Sequence, residues 1–118
     1  MGIVIVFYSN VLKNIGVEYN MIYGTYLGLM QKPRQLERIV KGVANHRRIE
    51  IATLLAKRPE LSVIEIAEAL EINFKTASEH IRRLALAGLV MKRSDGSSVR
   101  HALSPRGRSI LKFLRTLE

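Results

Sequence analysis

The sequence contains no cysteine. Disulfide bonds and thiolate metal sites are therefore both excluded, and a reducing cytoplasmic compartment is the expected setting. Hydrophobic residues make up 47% of the 118 residues, which excludes a disordered tail and suffices for one core of ordinary domain size. We expect one folded domain that relies on hydrophobic packing.

Acidic residues are scarce relative to basic ones. The chain has 19 Lys and Arg residues against 10 Asp and Glu residues, which gives a formal net charge of +9. Such an excess favours a polyanion as partner, because binding to phosphate releases condensed counterions. Asp95 is the only acid between Arg82 and Arg115, whereas glutamates cluster between residues 60 and 71. One side of the domain should therefore be much more positive than the other.

Long uncharged apolar runs are also missing. The first ten residues, MGIVIVFYSN, lack the basic segment and the small-residue cleavage site of a secretory signal. Polar residues such as Asn10, Lys13 and Glu18 interrupt residues 1–30, which therefore cannot form one membrane span. We expect no membrane partner and a cytoplasmic location.

Catalytic and metal-binding patterns are absent from the sequence as well. It has no Gly-rich phosphate loop, no cluster of carboxylates and no His–Cys pair. Ser78 and His80 would point to different faces of one helix, so they do not form a triad. The histidines His46, His80 and His101 are far apart and form no helical ligand pair. The sequence predicts no enzyme activity, no metal and no cofactor.

A change in composition divides the chain into residues 1–31 and residues 32–118. The first part is apolar and has a 3-4 spacing of large residues at Leu12, Ile15, Tyr19, Ile22, Tyr26 and Met30. A helix with this stripe needs a partner surface, and we interpret it as a dimerisation helix alongside the last helix. Three glycines in the stretch disfavour a helix interior. The alternative is that the protein starts further along the chain, at Met21 or Met30.

The most informative segment is Leu61–Gly88, which predicts two short helices joined by a turn. Apolar residues recur at helical spacing in both halves, at Val63, Ile66, Ala67 and Leu70 and then at Ala77, Ile81, Leu84 and Gly88. Ser62 and Glu65 form a capping-box pattern, and residues 71–73 are the predicted turn. Two such helices, the second with a polar outer side ending at Gly88, are typical of the helix-turn-helix that reads the DNA major groove.

Two more helices are expected ahead of this motif. The first covers about residues 35–41 and is ended by Gly42. The second runs from a cap at Asn45 to about Lys57, where Pro59 follows, with its core side at Ile51, Leu54 and Leu55. Both helices would flank the motif and complete its core.

The segment after the motif predicts a hairpin and a last helix. Residues 89–103 alternate apolar and polar around Asp95-Gly96, the predicted two-residue turn. Pro105 occupies an allowed first-turn position of the last helix. The predicted fold class is mainly α (α+β): a winged helix-turn-helix with a three-helix core, a two-stranded β-hairpin wing and flanking helices.

From about residue 42 to residue 103 the sequence resembles winged-helix repressors of the arsenical-resistance (ArsR) type. The resemblance rests on LSVIEIAEAL, on TASEHIRRLALAGLV and on the hairpin that follows. The next stretch, LSPRGRSIL, is similar to the end of the wing in multiple-antibiotic-resistance (MarR) type regulators. The resemblance implies a homodimer whose second motif helix enters the major groove and whose wing contacts the flanking DNA backbone.

The same resemblance bears on metal sensing, a common activity of ArsR-type proteins. Their thiolate ligands lie on the first motif helix, where this chain has Ser62 and Ile64. A second family site uses carboxylate and histidine on the last helix, which has no histidine here. The departures put metal sensing in doubt.

The candidate DNA-binding residues lie on the second motif helix and on the wing. They are Lys75, Thr76, Ser78, Glu79, His80, Arg82 and Arg83 on the helix, and Arg93, Ser97, Ser98 and Arg100 on the wing. Residues near the start of the helix are expected to reach base edges, and arginines a turn later to contact phosphate. The wing would lie beside the minor groove. The alternative is that these polar residues form ordinary solvated surfaces.

Glu79 is an unexpected charge among these candidates. ArsR-type sequences often carry a basic or neutral residue at this position, so the carboxylate departs from the family pattern. It could accept a hydrogen bond from cytosine N4, or it could weaken binding to phosphate.

The sequence thus predicts a sequence-specific, double-stranded DNA-binding transcriptional regulator. We expect a dimeric repressor that does not sense metals through thiolates, and the sequence leaves any small-molecule effector unknown. The alternative function is a winged helix used as a protein–protein interaction module without DNA binding.

Overall fold

The computed structural model describes residues 33–118. These residues form five helices and a two-stranded antiparallel sheet. Their bounds are α1 Pro33–Val43, α2 His46–Lys57, α3 Val63–Leu70, α4 Phe74–Leu86, β1 Val90–Asp95, β2 Ser98–Leu103 and α5 Pro105–Arg115. The predicted winged helix-turn-helix is confirmed. The helix hypothesised within residues 1–31 lies outside the described residues.

Helix α2 provides the central surface of the core. It begins at Asn45, whose side-chain Oδ1 accepts hydrogen bonds from the backbone N–H groups of Arg47 (2.9 Å) and Arg48 (3.3 Å), as the sequence predicts. Ile51 and Leu55 on its inner side are fully buried. They pack in one cluster with Leu61, Ile66, Ile81, Leu84, Leu89, Val90, Leu103 and Leu111. Burial of each large aliphatic side chain contributes about 1.5–3 kcal/mol.

Local hydrogen bonds set the turn between α3 and α4. The Ser62 hydroxyl accepts from the Glu65 N–H (3.2 Å), and the Glu65 carboxylate accepts from the Ser62 N–H (3.4 Å), which confirms the predicted capping box. Glu71 then adopts a left-handed conformation (φ 53°) that ends α3. The Asn73 side chain accepts from the Lys75 N–H at 2.7 Å and starts α4. The predicted turn over residues 71–73 is confirmed.

Two predicted helix ends are wrong at glycines. Helix α1 continues through Gly42 to Val43. Gly42 does not end the helix; it allows close packing, since a Cβ at this position would overlap the Ala87 side chain. Helix α4 ends at Leu86, two residues before the predicted Gly88, which takes a left-handed conformation (φ 74°) in the following turn.

The hairpin turn is shifted by one residue from its predicted position. The register runs from Val90 opposite Leu103 to Asp95 opposite Ser98, so Asp95 is a paired strand residue. The two-residue loop is Gly96-Ser97, with φ 62° at the glycine. A glycine at the first central position is the pattern of a type II′ turn, in which only that residue needs positive φ.

His101 connects the wing to the helix-turn-helix. Its side chain is 2% exposed, and Nδ1 lies 2.9 Å from the carbonyl oxygen of Leu61. Because a carbonyl only accepts, Nδ1 carries the proton and donates it. The backbone of His101 also accepts from the Glu60 N–H and donates to the Leu61 carbonyl, at 2.9 Å each. The segment ahead of α3 is thereby tied to β2.

None of the five helices in residues 33–118 is long and apolar enough to cross a membrane.

Acid should destabilise the fold through His101. Burial lowers the pKa of His101 below its usual value of 6.5, against the opposing effect of its hydrogen bond to Leu61. The unfolded chain therefore binds more protons just below pH 6.5, and the free energy of unfolding falls as the pH drops through that range. We expect His101→Gln, which keeps a donor but does not titrate, to flatten this dependence in urea denaturation between pH 5 and pH 7. For each protein, the free energy of unfolding at pH 8 serves as the reference value. If that free energy falls with pH as steeply in His101→Gln as in the wild type, this role of His101 is contradicted.

Candidate nucleic-acid interface

Helix α4 has one buried side and one exposed side. Ala77, Ile81 and Leu84 are at most 1% exposed and anchor the helix to the core. Of the predicted DNA-binding residues on this helix, Lys75, Thr76, Arg82 and Arg83 are exposed, whereas Ser78, Glu79 and His80 are partly buried. Because the apolar side of α4 packs in the core, the polar side predicted from the sequence faces away from it.

The first half of α4 forms an open depression on the surface. It is lined by Lys75, Thr76, Glu79 and His80, together with the capping residue Asn73. Four of the candidate residues therefore share one surface. Ser78 is not among the residues that line it.

Glu79 organises the charges on α4. Its Oε1 accepts from Arg82 Nη2 at 2.8 Å and from Arg83 Nε at 3.1 Å, while its Oε2 accepts from Arg82 Nε at 2.9 Å. Hydrogen bonds from Arg82 and then Arg83 lower the pKa of Glu79 to about 2. The carboxylate is ionised at neutral pH and partly neutralises both arginines.

A buried arginine supports the flank of α4 where His80 lies. Arg48 of α2 is 8% exposed and donates from Nη2 to the Lys41 carbonyl at 3.2 Å, while its Nη1 lies 3.4 Å from His80 Nδ1. Because arginine only donates, Nδ1 is the unprotonated nitrogen of His80. Burial and the neighbouring Arg48 and Arg83 charges lower the pKa of His80. His80 therefore joins α4 to α2 as a neutral ring.

Arg48 is a residue of this region that the sequence reasoning missed. The sequence does contain a signal for its burial. Arg48 precedes Ile51, Ala52 and Leu55 at helical spacing and so belongs to the inward stripe of α2. An arginine in such a stripe needs polar partners, which the structure supplies from Lys41 and His80.

Each of the two wing arginines contacts an acid outside the wing. Arg93 donates to the Glu60 carboxylate at 2.7 and 3.2 Å. Arg100 donates to the Glu65 carboxylate at 2.7 Å and to Asp95 at 3.4 Å. Arg93 and Arg100 are directly opposite in the register, where like charges repel, so these ion pairs offset a cross-strand repulsion.

The two wing serines are placed differently from the arginines. Ser97 is exposed within the loop, and Ser98 is partly buried at the start of β2. Only Ser97 therefore presents its side chain at the tip itself. Neither the wing serines nor the wing arginines line the depression on α4.

Within residues 33–118, no three histidine, aspartate or glutamate side chains come together in a way that could hold a metal ion. His80 lies beside Arg48, whereas His101 is buried against the Leu61 carbonyl.

Arg100 should contribute to stability apart from any contact with DNA. Its side chain is 29% exposed, and its partner Glu65 also completes the cap of α3. We expect Arg100→Ala to lower the free energy of unfolding by about 1 kcal/mol in urea denaturation, near the upper end for a surface ion pair. Arg93→Ala, which removes a more exposed ion pair on the opposite strand, is the matched control and should cost less. An equal or larger loss for Arg93→Ala would refute this assignment.

A family match covers the helical part of this region. The sequence model described as bacterial regulatory protein, arsR family, matches residues 45–92. The match takes in α2, the two motif helices and the start of β1. A cadmium resistance transcriptional regulatory protein CadC homolog from Staphylococcus aureus is 32% identical over 73 residues, which are 62% of this chain and 60% of that protein. The chain thus matches less than two thirds of the length of this relative.

Solved structures with the same architecture extend the comparison. The homodimeric winged helix-turn-helix DNA-binding domain of Mb0332 from Mycobacterium bovis, a possible ArsR-family transcriptional regulator, has a TM-score of 0.67 and 29% identity over 75% of this chain and 82% of that chain. HlyU from Vibrio cholerae has a TM-score of 0.64 and 30% identity, covering 73% of this chain and 94% of that chain.

A MarR family transcription regulator shares the fold. It has a TM-score of 0.60 at 20% identity, and the match covers 83% of this chain and 68% of that chain. At this identity the likeness concerns the architecture alone. With the family match over the motif and the relatives above, the chain belongs to the ArsR family of bacterial regulatory proteins, on a winged helix-turn-helix fold that a MarR family protein also shows.

Proposed function

We propose that this chain is a sequence-specific transcriptional regulator that binds double-stranded DNA. The observation that carries the proposal is the exposed side of α4, where Lys75, Thr76 and Glu79 line one depression on a helix anchored by three buried residues. A helix with an exposed polar side fits the width of the major groove and can contact base edges there. The name of the Staphylococcus relative, a transcriptional regulatory protein, and that of the Mycobacterium structure, a DNA-binding domain, support the same function.

The candidate contacts divide into two kinds. Lys75, Thr76 and Glu79 would contact bases, since they lie near the start of α4. The remaining candidates on α4 and the wing would contact the DNA backbone: Ser78, His80, Arg82, Arg83, Arg93, Ser97, Ser98 and Arg100. Positive charge supplies most of the affinity in such an arrangement, and the few base contacts supply the discrimination.

We further propose that the protein acts as a homodimeric repressor in the cytoplasm. Leu36 and Val40 on α1 are 40% and 55% exposed, and Phe113 and Leu117 at the end of the chain are 58% and 67% exposed. Large exposed apolar side chains at both ends of the domain favour association, and the Mycobacterium bovis relative is homodimeric. A two-fold symmetric dimer would bind a pseudo-palindromic site.

The assembly can be tested on α5. We expect Phe113→Glu to convert the dimer into a monomer by light scattering, because the new charge would be desolvated at an apolar interface. Val99→Glu is the matched control, since Val99 is also an exposed apolar residue (42%) but lies on the wing, and that variant should keep the wild-type mass. A wild-type mass for Phe113→Glu would place the interface elsewhere.

DNA binding and its two kinds of contact can be tested together. Selection of bound duplexes from a random DNA pool should yield a symmetric consensus for the wild type. We expect Arg82→Ala to weaken binding to all sequences and to lower the slope of log K against log salt by about 1, because one phosphate contact is lost. Lys75→Ala should instead change the selected consensus.

The matched control for Arg82→Ala is Arg47→Ala. Arg47 forms an ion pair with Glu50 three residues along α2 (3.0 Å), as Arg82 does with Glu79 on α4 (2.8 Å). The control removes the same charge and the same kind of pair outside the motif, so its salt slope should equal that of the wild type. Failure of the wild type to enrich any duplex would sink the DNA-binding function and leave the protein-interaction alternative.

A further inference from the structure

The hydrogen bonds of Glu79 leave it with capacity for another donor. Each carboxylate oxygen can accept two hydrogen bonds. Oε1 accepts from both arginines, whereas Oε2 accepts only from Arg82 Nε among the described residues. Oε2 can therefore take one more hydrogen bond while Arg82 and Arg83 hold the carboxylate in a fixed orientation.

The chemistry of base edges limits what this free position can bind. A carboxylate accepts but does not donate, so the thymine O4 and guanine O6 acceptors repel it in the major groove. The adenine amino group has the N7 acceptor beside it, which opposes a carboxylate that approaches along the edge. Cytosine presents its N4 amino group without a neighbouring acceptor on the same base. Cytosine is thus the base that suits Glu79 best.

We propose that Glu79 is a specificity-determining residue that accepts a hydrogen bond from a cytosine N4 amino group, with Arg82 and Arg83 as its positioning residues. This inference rests on the proposed DNA-binding function and deepens it. Arg82 uses Nε and Nη2 for Glu79, which leaves Nη1 available for phosphate. One arginine can therefore orient the carboxylate and contact the DNA backbone together.

The same ion pairs reduce binding that does not depend on sequence. Glu79 offsets one of the two arginine charges on this side of α4. It also accepts hydrogen bonds from guanidinium N–H groups that could otherwise donate to phosphate. Sequence-independent affinity depends on how many phosphates are neutralised by positive side chains. Glu79 therefore increases discrimination in two ways, since it favours cytosine and weakens binding to all other duplexes.

Two substitutions separate these effects. Glu79→Gln keeps the size of the side chain but removes the charge and adds a donor, so it should tolerate an acceptor on the base and bind random-sequence DNA more tightly. Glu79→Asp keeps the charge on a shorter side chain, so it should lose the cytosine preference without that gain. Glu50→Gln is the control, because Glu50 is equally exposed (43% against 45%) and also pairs with an arginine three residues away.

The experiment uses the full chain and duplexes selected by the wild type from a random pool. For the wild type, replacing the selected cytosine by thymine in each half-site should weaken binding at least about fivefold, as expected for one good base contact. The penalty should fall below about twofold in Glu79→Gln and Glu79→Asp. Glu79→Gln alone should bind random-sequence duplex several-fold more tightly at low salt, with a gain that shrinks as salt rises. Glu50→Gln should match the wild type in both measurements.

The outcomes distinguish this inference from the function on which it rests. If the wild type enriches no duplex, the DNA-binding function itself fails. If the wild type selects a consensus but Glu79→Gln and Glu79→Asp keep the same preference at every position, DNA binding stands and the role of Glu79 is overturned. A consensus without cytosine at a position sensitive to Glu79 overturns it as well.

Discussion

The burial of one side of α4 is the constraint on which the candidate nucleic-acid interface depends. A helix of 13 residues is marginal in water by itself, so its order must come from packing. Ala77, Ile81 and Leu84 supply that packing, and each is almost completely buried. Side chains four residues apart lie on the same side of a helix, and side chains two residues apart lie on nearly opposite sides. Because Ala77 and Ile81 face the core, Lys75 and Glu79 therefore face outward. The charged surface is thus a consequence of the core beneath it.

The wing is positioned by a second, polar contact. His101 occupies a buried position of β2, and its Nδ1–H donates to the Leu61 carbonyl ahead of α3. Backbone hydrogen bonds from Glu60 and to Leu61 extend the same connection. Three hydrogen bonds of His101 thus tie the wing to the segment ahead of α3. Such coupling favours a single arrangement of wing and α4 for any partner that contacts both.

Local features of this fold were predictable from the sequence, and features that join distant residues were not. The Asn45 cap and the Ser62–Glu65 capping box depend on residues within three positions of each other. By contrast, Gly42 is required by contact with Ala87 on another helix, and Arg93 pairs with an acid 33 residues away. The register of the hairpin was not predicted either. The predicted turn, Asp95-Gly96, and the observed turn, Gly96-Ser97, differ by one position, which only the pairing of the strands decides. The candidate site follows the same division: its helix was predictable, but the ion pairs of its wing arginines with Glu60 and Glu65 were not.

These ion pairs change how the net charge of +9 should be interpreted. Arg82, Arg83, Arg93 and Arg100 each contact an acid in the described part of the chain. A phosphate that binds one of these arginines must compete with a carboxylate already in place, so part of the electrostatic attraction is offset before any DNA arrives. If these arginines contact phosphate as proposed, the loss falls on contacts that are the same for every sequence. On the proposed function, these ion pairs would therefore lower the affinity for DNA of any sequence and leave discrimination to the contacts with bases.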